Sequence, residues 1–150
     1  MKNKKREMEK AVVIMNQSHS LKDHQKRLLE ETFNEIEFIK SPKGGWDLNE
    51  INEVSKKIHY SLTGEETNML SEKTNNAVVF VSPIPALLKR CIQNSIQPRD
   101  NMNTYKIYKV LVFHNDRRHK KELPSGKIIS TPAEEGWELI WGWGLTFKTL

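Results

Sequence analysis

The 150 residues, 37% hydrophobic and 29% charged, fit one soluble domain with a single real core. No apolar run approaches the roughly 20 residues that cross a membrane, and the charged start MKNKKREMEK leads into no long apolar segment, so neither a span nor a secretory signal is expected. Twenty-four Lys and Arg against nineteen Asp and Glu leave a net charge of +5, which favours an anionic partner such as a nucleotide or nucleic acid, although a Lys-rich soluble surface carries the same excess.

Residues 1–9 read as a basic lead-in. Ala11 to Met15 is a continuous apolar run bounded by polar residues, the pattern of a central strand covered on both faces and hence of a parallel sheet. Asn16 to Ser20 is a polar loop. Ser20 with Asp23 makes an imperfect capping box for a helix carrying Leu21, Leu28, Leu29, Thr32 and Phe33 on one face. Ile36 to Ile39 is a second strand, stopped by Ser41-Pro42-Lys43-Gly44-Gly45. Trp46 closes over the core or faces a partner. Leu48, Ile51, Val54, Ser55, Ile58 and Leu62 fit a helical stripe ended by Gly64, and Glu65 to Thr74 is expected to form a short helix with Met69 and Leu70 inward.

The stretch Ala77 to Gln93 organises the chain: a buried strand, an abrupt two-proline turn and a helix. Ile84 precedes a proline and is biased away from helical angles, whereas Pro85 suits the first helical position, so the helix starts there. Ile84, Leu87, Leu88, Cys91 and Ile92 mark its buried side. A lone Cys91 makes no internal disulfide, which suits a reducing cytoplasm, and it reads as a buried thiol. After a polar connection, Pro98 to Thr104, Tyr105 to Phe113 supplies a fourth strand. His114 to Lys121 is the most basic cluster. Leu123-Pro124-Ser125-Gly126 is a turn, and Lys127 to Ser130 resumes a strand. Ala133 to Gly136 is a turn, and Trp137 to Phe147 an edge strand or hairpin. The expected fold is therefore α/β: a Rossmann-like, mostly parallel sheet flanked by helices, with a C-terminal antiparallel β-excursion over 114–150.

The five histidines fall into no ligand-pair spacing, so neither metal nor cofactor is expected. No GxxxxGK[ST], GxGxxG or GxSxG follows a strand. What remains is a set of strand ends. The carboxyl ends of a parallel sheet lie on one edge, where ligands bind in open α/β folds. Asn16 to Ser20 offers amides and hydroxyls, Ser82 to Ile84 offers a helix N-terminus for phosphate, and His114 to Lys120 offers cations and imidazoles. Singly, each has a plain alternative: loop satisfaction, a helix cap, a solvated hairpin face.

AVVIMNQSHSLKDHQ, then AVVFVSPIPALLKR, then VLVFHNDRRHKKELPSGKIIS resembles, in order and spacing, the small CRISPR-associated proteins of the CARF and ring-nuclease type over residues 11–130. The Trp-rich tail from Trp137 lies outside that resemblance. The resemblance implies a homodimer that binds a cyclic oligoadenylate across its two-fold axis, through Asn16, Gln17, Ser18, Ser82, Pro83, Asn115 and Arg117. Members that cleave do so without metal, the ribose 2′-hydroxyl attacking the adjacent phosphate. Arg117, Arg118 and Lys120 would then supply the cation and His114 or His119 would move a proton. The stretches hold no diagnostic catalytic signature, and binding without cleavage stays open. Two other readings stand beside this one: a non-catalytic RNA-binding module using residues 114–121, and an enzyme acting on another nucleotide.

Overall fold

The apolar runs Ala11–Met15, Ala77–Phe80 and Val110–Val112 become parallel strands buried on both faces, and a mostly exposed fourth strand joins them at the edge. The computed structural model describes residues 8–98, 104–114, 118–132 and 138–141. In chain order the elements are β1 (Met8–Asn16), α1 (Asp23–Thr32), β2 (Phe33–Ser41), α2 (Leu48–Thr63), β3 (Ala77–Phe80), α3 (Pro85–Asn94), β4 (Ile96–Pro98), β5 (Thr104–Lys106), β6 (Lys109–His114), β7 (Arg118–Glu122), β8 (Ile128–Pro132) and β9 (Glu138–Trp141). The main sheet has the order β2-β1-β3-β6-β9. Its first four strands are parallel, and β9 lies antiparallel on the edge beyond β6. β4–β5 and β7–β8 are separate antiparallel pairs. This is the Rossmann-like α/β fold expected, with its C-terminal antiparallel excursion.

Alternation along the strands divides the core in two. Val12, Ile14, Val78, Phe80, Val110 and Val112 face α2 and α3 and meet Ile51, Ile58, Leu62, Leu87 and Cys91. Ala11, Val13, Ala77, Val79 and Leu111 face the other way, onto Leu29 of α1 and Phe33. Right-handed crossovers account for this: the chain leaves β1 toward β2 over one face, then reverses and runs through β3 to β6 over the other. The reversal puts the topological switch point between β1 and β3. Trp46 is half-buried against the α2–α3 side, in line with a core role.

The caps follow local chemistry. Asp47 accepts the Glu50 amide at 2.8 Å, Glu50 Oε1 accepts the Asp47 amide at 3.1 Å, and Gly64 closes α2 at φ 76°. α3 starts at Pro85 as expected, and Ile84 gives it no side-chain cap. α1 departs from expectation. It starts at Asp23, and the reciprocal bond runs from the Lys22 amide to Gln25 Oε1 at 2.9 Å, so Ser20 is no cap. Leu21 lies before the helix, and Phe33 is the first residue of β2, which follows α1 without a loop and is longer than Ile36–Ile39.

Glu65 to Thr74 forms no helix, and Met69 and Leu70 are 50% and 75% exposed. Its backbone is held by side chains instead. Gln97 Nε2 donates to the Met69 carbonyl at 3.0 Å, Gln97 Oε1 accepts the Ser71 amide at 2.8 Å, and the Tyr105 hydroxyl donates to the Ser71 carbonyl at 2.8 Å. The expected strand Tyr105–Phe113 is broken at Ile107-Tyr108, because the Ile107 amide turns aside to the Ser95 carbonyl. β4 and β5 flank the connection before it, whose residues 99–103 lie outside the described residues. The turn at 123–126 stands as expected, with the Gly126 amide donating to the Leu123 carbonyl and Gly126 at φ 86°. The expected turn at Ala133–Gly136, and the part of Trp137–Phe147 beyond β9, lie outside the described residues.

Candidate functional site at the carboxyl rim

Ile14 pairs with Phe80, and Phe80 with Val112. Two residues further along three adjacent parallel strands come Asn16, Ser82 and His114, so these stand level on the carboxyl edge. The switch point falls between the first two.

Ser82 ties the rim together. It is 4% exposed, and its Oγ accepts the Asn16 amide at 2.9 Å. The same oxygen lies 2.9 Å from His19 Nδ1. The Val81 amide donates to the Ile14 carbonyl at 2.8 Å, which fixes the start of the β3–α3 turn against β1. Asn16 spends its side chain on the protein: Oδ1 accepts the Ser18 amide and hydroxyl at 2.9 and 2.6 Å, and Nδ2 donates to the Pro42 carbonyl at 3.1 Å. Asn16 therefore shapes the loop. Gln17 and Ser18 are exposed on it.

Beside this hub lies a cavity of about 230 Å³ lined by Phe80, Val81, Pro83, Ile84, Pro85, Leu88, Val112, Phe113 and His114. Its walls are apolar except at His114, and the uncapped start of α3 borders it, where amide N–H groups and the helix dipole favour an anion. Across the sheet His114 pairs with Glu138 of β9, at a spacing where side chains interact. That carboxylate shares the rim.

Of the residues expected at the site, Asn16, Gln17, Ser18, Ser82, Pro83 and His114 share one edge. Arg118 and Lys120 belong to β7, opposite Pro132 and Ser130 of β8, with His119 between them opposite Thr131. Asn115 and Arg117 lie outside the described residues. Two rim residues were not singled out from sequence. His19, in a loop already marked polar, was weighed only with the other histidines as a metal ligand, and Glu138 reaches His114 only through antiparallel pairing. Among the described residues no group of three His, Cys, Asp or Glu could hold a metal ion.

A second titratable cluster lies at the opposite edge. Asn76, just before β3, donates from Nδ2 to the Leu62 carbonyl at 2.8 Å, which places the end of α2 at the amino side of the sheet. There His59 is 1% exposed, and among the described residues neither ring nitrogen has a hydrogen-bond partner. Its ring meets Tyr108 edge-on, with centroids 5.8 Å apart. Burial lowers the His59 pKa, and Glu66 partly opposes this. Burial also pushes the Cys91 thiol and the Tyr108 phenol up. The Tyr108 hydroxyl donates to the Cys91 carbonyl at 3.3 Å.

Comparison with known protein families, curated proteins and solved structures finds no match to this chain.

Proposed function

We propose that the carboxyl rim binds a cyclic oligoadenylate second messenger of type III CRISPR antiviral signalling, in a cytoplasmic homodimer, and cleaves it without metal. The observation that carries this reading is the convergence of the Asn16–His19 loop, the Ser82–Pro83 turn and His114 on one edge beside the switch point. The uncapped start of α3 suits a phosphate, and the apolar cavity suits a base. Gln17 and Ser18 present polar groups to the ribose and base edges. Cleavage needs in-line placement of the 2′-hydroxyl and cations on the developing charge, the roles given to Arg117, Arg118 and Lys120. The products are linear adenylates with a 2′,3′-cyclic phosphate end.

Thermal shift against rings of several sizes tests this. A ligand at 100 times its Kd adds about 2.7 kcal/mol, or about 5–10 °C in Tm for a domain of this size. The expected result is such a rise for one ring, lost in Arg117→Ala, with linear products formed in EDTA. No response to any ring refutes it. The second reading, an RNA-binding module, rests on the basic run His114 to Lys121, of which Arg118 to Lys121 lie in the backbone of the β7–β8 ribbon. It predicts retention of long single strands with affinity falling steeply with salt.

A further inference from the structure

We propose that His19 is the proton-transfer residue of the rim and that Ser82 positions it. This rests on the cleavage reading above. His19 is exposed, yet its Nδ1 lies 2.9 Å from the Oγ of the buried Ser82. That oxygen also accepts the Asn16 amide, and the His19 amide donates to the Asn16 carbonyl at 3.0 Å. Ring and backbone of His19 are thus both anchored to the end of β1. The proposal requires the tautomer in which Nδ1–H donates to Ser82 Oγ, which leaves the lone pair on Nε2 of a solvent-accessible ring at the switch point. His114 is less suited, because Glu138 stands beside it and repels a phosphodiester.

The step balances without a co-reactant. Nε2 takes the proton of a ribose 2′-hydroxyl as that oxygen bonds to the adjacent phosphorus. The P–O5′ bond breaks, and the 5′-oxygen takes a proton from water. The imidazolium then returns its proton to solvent. Ser82 touches no substrate atom and is a positioning residue.

His19→Asn tests the proposal, since its side-chain amide keeps a donor toward Ser82 and moves no proton. The expected result is an unchanged thermal response to the ring with cleavage reduced about 100-fold or more. Nitrogen-15 spectra of the ligand-free protein should show His19 protonated on Nδ1, a state kept in Ser82→Thr and lost in Ser82→Ala. An Nε2-protonated ring, wild-type cleavage by His19→Asn, or a wild type that binds a ring and leaves it intact overturns the proposal. Failure of every ring to bind refutes the functional reading instead, and the spectra still decide the His19–Ser82 geometry.

Discussion

His59→Leu is expected to stabilise the protein, and increasingly so in acid. The imidazole is buried on α2 with its ring against Tyr108, and both nitrogens lack a partner among the described residues. A buried polar group left unpaired costs about 1–3 kcal/mol, and leucine is close to histidine in volume. The gain at neutral pH should therefore be about 1–3 kcal/mol. The pH dependence follows from the lowered pKa. Above the unfolded value, near 6.5, both states hold a neutral ring and the gap between variant and wild type is flat. Below it the unfolded chain takes up a proton that the folded one refuses. Wild-type stability then falls with decreasing pH, by up to about 1.4 kcal/mol per pH unit, until the folded pKa is reached. His59→Leu lacks this loss. Carboxylates and the other histidines titrate in both proteins and cancel in the difference. Urea denaturation of the two proteins between pH 8 and pH 5 measures it. A gap that stays constant over that range would show that the ring finds a partner or reaches solvent, and the burial argument would fail.

Two further tests address the frame. Asp47→Ala removes the reciprocal bonds with Glu50 at the start of α2 and should cost about 0.5–2 kcal/mol, read as a lower denaturation midpoint at unchanged m-value; no change would mean that the loop before α2 supplies a substitute acceptor. Cys91 is fully buried with its thiol pKa raised, so labelling by an aromatic disulfide at pH 8 should proceed only at the rate of opening, and fast labelling of the native protein would contradict its place between α3 and the sheet.

The parallel core was legible because it is written in local patterns. Ala11–Met15, Ala77–Phe80 and Val110–Phe113 are uninterrupted apolar runs, and such runs are buried on both faces. Pro85 and Gly64 marked helix ends through backbone restrictions that need no tertiary context. The misplaced elements depend on distant partners. Glu65–Thr74 offers Met69 and Leu70 as an inward pair, but Gln97 and Tyr105 take its backbone bonds and both side chains stay exposed. Ser20 and Asp23 had the letters of a cap, and Gln25 took the role. At the rim, parallel strands bring Asn16, Ser82 and His114 level, which a strand count anticipates. The His19–Ser82 contact needs β1 and β3 to be neighbours, and spacing along the chain says nothing of that.

The adjacency of β1 and β3 also shapes how the molecule comes to be made. Residues that pair across it, such as Ala11 and Ala77, are separated by most of half the polypeptide. Early in synthesis β1 has β2 alongside it and its other flank bare, an uninterrupted apolar strand with open backbone groups, until Ala77–Phe80 leaves the ribosome. Pairings this remote in sequence form late and slowly, and bare strand flanks are where newly made chains stick to one another.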